Sequence, residues 1–143
     1  MTARCIIILS LFLFSCAIDN KQGVIKLAHS LDVSHPVHKA MIFMSKKVKE
    51  KSNGTMRVDI YPGGQLGNER ELIELLQIGS LAMAKVSTAP LEAFIPDMKI
   101  FGMPYLFRDD EHRWKILDGS IGEKLLLSGE SYLLRGMCYY DAG

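Results

Sequence analysis

The sequence predicts an α/β protein with a parallel β-α-β-α-β core, and three observations carry that expectation. Residues 25–30 (IKLAHS) and 56–61 (MRVDIY) alternate apolar and polar side chains, as half-buried strands do. Residues 81–87 (LAMAKVS) form a third, mostly apolar strand, the pattern of a sheet covered on both faces. Between these strands lie two helix-periodic segments of crossover length. Consecutive units of this kind give parallel strands joined by right-handed connections.

The first helix opens at Ser34-His35-Pro36, with Ser34 as the expected cap and Pro36 in the first turn. Val37, Met41, Met44 and Val48 fall on a single apolar stripe, while Lys39, Lys46, Lys47, Lys49 and Glu50 make the polar face. Asn53-Gly54 supplies a left-handed stop. After the break at Pro62-Gly63-Gly64, Asn68 caps a second helix, with Glu71 at capping-box spacing. Leu72, Leu75, Leu76 and Gly79 form its buried side. Residues 90–104 are a proline-punctuated run of short elements. Asp109-Asp110 then opens a helical stretch with Trp114, Leu117, Ile121 and Leu125 on one side and a break at Gly119. Residues 134–140 read as a further strand.

Composition narrows the function classes. At 143 residues the length is that of one domain, and 48% apolar with 23% charged residues is enough to bury a core, which excludes low-complexity disorder. With 17 Lys and Arg against 16 Asp and Glu, the net +1 leaves no basic field for a nucleic-acid partner. The three cysteines, Cys5, Cys16 and Cys138, are too few and scattered for a disulfide scaffold, and no CxxC pair suggests zinc.

The first residues are a targeting segment. Arg4 precedes residues 5–14 (CIIILSLFLF), an apolar run well short of the roughly 20 residues that span a bilayer. A basic start and a short apolar core are the pattern of a secretory signal peptide, assigned to residues 1–15. Leu13-Phe14-Ser15-Cys16 resembles a bacterial lipobox, which makes Cys16 a candidate lipidation site. Ordinary cleavage nearby and an uncleaved anchor are the alternatives. Residues 16–23 are a polar tether.

Catalytic sets do not appear. His29, His35 and His38 lack accompanying cysteine or carboxylate ligands at metal spacing and read as capping or solvated histidines, so no metal is expected. There is no GxSxG elbow, P-loop or GxGxxG motif, and neither an enzyme nor a cofactor is expected. The informative places are the loops after the three strands, because ligands of open parallel sheets bind at the carboxyl ends of strands. Those loops carry Ser30, Ser34, Gln65, Asn68, Glu69, Ser87 and Thr88, and two of them open helices whose first N–H groups face an anion. The same residues also serve as ordinary caps and turns.

Several ordered motifs then converge. Residues 50–54 (EKSNG), 61–72 (YPGGQLGNEREL), 77–83 (QIGSLAM) and 103–107 (MPYLF) resemble solute-binding proteins of tripartite ATP-independent periplasmic (TRAP) transporters, of the dicarboxylate-binding type, from about Val24 to Gly143. The resemblance implies a periplasmic-binding-protein-like, two-lobed α/β protein that closes over a small organic acid and hands it to membrane permease subunits. On it, residues 24–143 correspond to an N-terminal lobe, incomplete before the second. Ser30 matches the polar contact after the first strand, Glu69 an acidic position at ligand or its water, and Ser87 and Pro90 the loop after the third strand. With His29, Gln65 and Thr88 from the same loops, these are the candidate ligand-binding residues. The family's carboxylate-binding arginine follows the strand that here ends at Asp141-Ala142-Gly143, and none of Arg57, Arg70, Arg108, Arg113 or Arg135 takes that place. The expectation is extracytoplasmic capture of a small carboxylate. The alternative is a truncated or degenerate fragment without ligand binding.

Overall fold

The computed structural model describes residues 22–141. Residues 1–21, which include the expected signal peptide, Cys16 and most of the expected tether, lie outside the described residues. Three parallel strands, β1 (Gly23–Ala28), β2 (Met56–Tyr61) and β3 (Met83–Ala84), form one sheet in the order β2-β1-β3. Helix α1 (Pro36–Lys51) connects β1 to β2, and α2 (Glu69–Gln77) connects β2 to β3. The expected parallel core is present. β1 pairs with β2 from Gly23↔Met56 to Ala28↔Tyr61 and with β3 at Leu27↔Met83 and Ala28↔Ala84. The carboxyl ends of all three strands therefore emerge side by side.

The third strand is shorter than its sequence suggests. β1 ends at Ala28, so the neighbouring chain has no ladder partner beyond Ala84 except one further bond, from Lys85 N–H to the Ala28 carbonyl. Leu81 is buried in the turn off α2, where its N–H bonds the Leu75 carbonyl.

Helix starts follow local chemistry. Asn68 Oδ1 accepts from the N–H groups of Arg70 and Glu71, and Glu71 Oε2 accepts from Asn68 N–H, the reciprocal capping box expected. At α1 the cap is His35 rather than Ser34. The residue before a proline is pushed to extended backbone, His35 has ψ 138°, and its Nδ1 accepts from Val37 N–H. Ser34 instead donates its N–H to Asp32 Oδ1. The stop at Asn53-Gly54 is left-handed at both residues, with φ of 50° and 78°.

Beyond the sheet come α3 (Thr88–Leu91), a 3₁₀ segment (Pro96–Gly102), α4 (Asp110–Leu117), α5 (Ser120–Leu127) and a 3₁₀ turn (Glu130–Tyr132). The helical stretch breaks at Gly119 as expected. The break turns Ile121 outward, half exposed, so it leaves the stripe shared by Leu117 and Leu125. Residues 134–140 form no ladder with any described residue. They are held instead by Gly136 N–H to the Leu126 carbonyl and by the Tyr139 hydroxyl to the Gly122 carbonyl.

Two apolar clusters meet at α2. One joins Ala28, Leu72 and Leu81, and the other joins Ile73, Ile95, Met98 and Leu134. Leu72 and Ile73, adjacent in sequence, are both fully buried, so α2 ties the sheet to the C-terminal segments. Among the described residues no helix is long and apolar enough to cross a membrane.

Candidate functional site

The carboxyl ends of β1 and β3 and the start of α2 bring four side chains together. Glu69, first residue of α2, points its carboxylate toward the chain leaving β3. Its Oε1 accepts from Lys85 Nζ at 3.1 Å, from Ser87 Oγ at 3.2 Å and, at the long limit, from Ser30 Oγ at 3.5 Å. Its Oε2 accepts from Ser87 N–H at 3.1 Å. Lys85 Nζ also donates to Ser87 Oγ at 3.3 Å. The side chains of Lys85 and Glu69 are 8% and 15% exposed, so this pair is largely withdrawn from water, while Ser30 and Ser87 stand at the surface.

Burial pushes the Glu69 carboxyl up. The bonds from Ser87 N–H, Lys85 and the Ser87 hydroxyl outweigh it and hold the group below the usual glutamate value. Glu69 is therefore an anion at neutral pH, compensated by Lys85. Tyr140 stands within electrostatic reach. Its burial, then Cys138 and Glu69, push its phenol up to about 12, so it keeps its proton.

Of the residues read from the sequence, Ser30, Glu69 and Ser87 form one cluster. Thr88 follows Ser87 at the exposed start of α3, Pro90 lies within α3, and Gln65 is exposed on the loop after β2. His29 belongs elsewhere. It is fully buried, and its Nε2 lies 3.0 Å from His38 Nδ1 of α1. Burial, then His38, hold His29 below the ordinary histidine value, with Lys85 and His35 acting in the same direction. The expectation of capping or solvated histidines thus holds for His35 alone. Among the described residues no group of three or more His, Cys, Asp or Glu converges as a metal site.

The helix starts are less open to an anion than the sequence implies. The N–H groups of Arg70 and Glu71 are taken by Asn68, and those of Ser34 and Val37 by Asp32 and His35. Lys85 is the site residue that sequence reasoning missed. Its signal was a lone lysine inside an apolar strand at the sheet's carboxyl end, where a buried ammonium requires a partner.

Residues 27–143 match the model of the bacterial extracellular solute-binding proteins, family 7 (DctP). The chain belongs to that family. It is a family of solute-binding proteins, not of enzymes. Among its relatives, the uncharacterized protein YiiZ of Salmonella typhimurium is 36% identical over 123 residues, 85% of this chain and 37% of the relative. The C4-dicarboxylate-binding periplasmic protein DctP of Rhodobacter capsulatus is 31% identical over 121 residues, 84% of this chain and 36% of the relative. The TRAP periplasmic solute-binding protein of Xanthobacter autotrophicus, solved with bound β-D-galacturonate, superposes with a TM-score of 0.79 at 32% identity, covering 83% of this chain and 40% of that one. The family 7 chain thus spans about two-fifths of the length of the relatives it matches, and its parallel sheet corresponds to a part of their fold.

Proposed function

We propose that this chain supplies one wall of the ligand site of a TRAP-type solute-binding protein, which captures a small organic acid outside the cytoplasm for uptake through membrane permease subunits. The observation that carries the reading is the convergence of Ser30, Glu69, Lys85 and Ser87 where the strands end. The names of the relatives support it, since one is a C4-dicarboxylate-binding protein and another holds galacturonate. No bond is made or broken. Affinity comes from polar groups closed around the acid. A bidentate arginine is the natural partner of the ligand's carboxylate, and none of the four clustered side chains is one. The family resemblance implies that this arginine stands on an opposite wall.

Calorimetry tests the reading. The 143-residue chain by itself gives no saturable micromolar heat with succinate or D-galacturonate. Residues 22–141, exchanged for the matching segment of the Xanthobacter protein, give saturable binding of one of them. Micromolar binding by the isolated chain, or a folded exchange protein that binds neither acid, contradicts the proposal.

Export by residues 1–15 and acylation of Cys16 belong to the same reading, motivated by the apolar run after Arg4 and by Ser15-Cys16. Cys16→Ser removes lipid labelling in cells. Labelling that persists in that variant contradicts it.

A further inference from the structure

Positive charge is segregated on one helix. α1 carries five lysines, Lys39, Lys46, Lys47, Lys49 and Lys51, against the single carboxylate of Glu50, a net +4. The whole chain is only +1, so everything outside α1 sums to −3. His38 and Ser45 face the sheet, where His38 meets His29 and Ser45 Oγ donates to the Val58 carbonyl. The five lysines, Glu50, Ile42 and Phe43 are exposed. Lys39, Phe43, Lys46 and Glu50 recur at i, i+4, i+7 and i+11, so they share one outward stripe. Lys47 bonds Glu50 at 2.7 Å and stands 5.7 Å from the Phe43 ring centroid. The other four lysines pair with no carboxylate among the described residues. A basic stripe around an exposed aromatic ring suits a layer of anionic headgroups over an acyl interior.

The chain enters the fold beside this helix. Gln22 Nε2 donates to the Gly54 carbonyl at 2.7 Å, and Gly23 N–H donates to the Thr55 carbonyl at 2.8 Å, next to the stop that ends α1. From Cys16 to Gln22 is six residues, a reach of at most about 20 Å. A chain held in a bilayer at or before Cys16 therefore keeps the lysine-rich end of α1 close to the headgroups. Attraction of lysine to an anionic surface acts within a Debye length, about 8 Å at physiological salt. The candidate site lies at the opposite ends of the strands and stays uncovered.

We propose that the outward face of α1 docks on anionic lipid headgroups and orients the chain on the membrane to which its N-terminus holds it. The inference rests on the export reading above and adds a second, electrostatic contact to it.

The test is lysine footprinting of the 143-residue chain on two kinds of vesicle. One is phosphatidylcholine alone, and the other is equal parts phosphatidylcholine and phosphatidylglycerol. The apolar residues 5–14 hold the chain on both, which co-sedimentation checks. An amine-acylating reagent and mass spectrometry then read each lysine. Lys46, Lys47 and Lys49 react about fivefold more slowly on the anionic vesicles, and about 0.5 M salt abolishes the difference. Lys99, Lys115 and Lys124, on other elements, react alike on both. K46Q/K49Q removes the protection of Lys47, whereas K99Q/K115Q/K124Q, with more charge removed elsewhere, leaves it. Equal reactivity of the α1 lysines on the two vesicles overturns the inference. Protection spread equally to Lys99, Lys115 and Lys124, or persisting in high salt, overturns it too. Equal protection by soluble polyglutamate or RNA at the same charge concentration removes the lipid assignment. Lipid labelling of Cys16 in cells decides the acylation reading separately, since the footprint uses the unacylated chain.

Discussion

The two crossover helices differ in what they bury. α2 commits apolar surface: Leu72 and Ile73 are fully enclosed, each in its own cluster. α1 is the longer helix, yet its stripe of Val37, Met41, Met44 and Val48 is only half buried, and its one buried residue is His38, bonded to His29. Phe43 on α1 is 62% exposed. The face of the sheet under α2 is therefore held by the hydrophobic effect, which is insensitive to pH. The packing of α1 on the sheet includes His38 against His29, and the burial of His29 opposes its protonation. The candidate site stands at the start of the well-anchored helix, where a positioned carboxylate needs a rigid support.

The largest effect that would sharpen this contrast is a pair of truncations. Leu72→Ala lowers stability in urea by about 3–5 kcal/mol, the upper range for a fully enclosed leucine. Met44→Ala, on the half-buried stripe of α1, costs only about 1–2 kcal/mol, since much of its side chain already meets water. Equal losses would show that both helices pack alike. Next, Lys85→Met leaves Glu69 without its cation and costs roughly 3 kcal/mol, the low end for a broken buried pair because Glu69 retains some solvent. A variant as stable as the parent would mean that the pair is solvated.

Protonation separates the helices in another way. Burial depresses the His29 value, so the unfolded chain takes up a proton near 6.5 while the folded chain resists. Stability is fully present above that value and falls as the pH drops through it toward the lower folded value. The depressed Glu69 value adds a second loss below its ordinary value of 4.5. The urea midpoint is thus lower at about pH 5.5 than at about pH 7.5, and equal midpoints would remove the histidine pair from the account. Smaller again, Asn68→Ala removes the acceptor of two α2 N–H groups and costs about 1 kcal/mol by thermal unfolding. Phe43→Ser, on the exposed side of α1, changes stability by about 0.5 kcal/mol or less.

The same contrast explains what was legible in the sequence. The capping box of α2, the alternation of β2 and the left-handed stop at Asn53-Gly54 are local patterns, and each appears where it was read, whereas β1 lies at Gly23–Ala28, two residues before the segment 25–30 read from alternation. The pairing of His29 with His38 is not local, because it joins a strand end to a helix and leaves no periodic trace. The stripe on α1 therefore overstated its apolar burial. The Ser30–Glu69–Ser87 cluster followed from the rule that loops at the carboxyl ends of parallel strands gather together. Lys85 did not, since alternation gave no reason for a lysine to turn inward toward Glu69. Strand β3 was read too long because apolarity marks burial, whereas a ladder also needs a neighbour, and β1 stops at Ala28. Residues 134–140 are strand-like in composition and make no ladder, for the same reason.

The most direct measurement of the central claim is calorimetric titration of the exchange protein, with and without S30A/S87A, against D-galacturonate. Ser87 Oγ bonds both Glu69 and Lys85, so the melting temperature of S30A/S87A is measured first to establish that the variant is folded. Loss of two neutral hydrogen bonds, each about 1 kcal/mol, raises Kd by roughly 20- to 30-fold. An unchanged Kd in a folded S30A/S87A protein would place the ligand elsewhere and contradict the account.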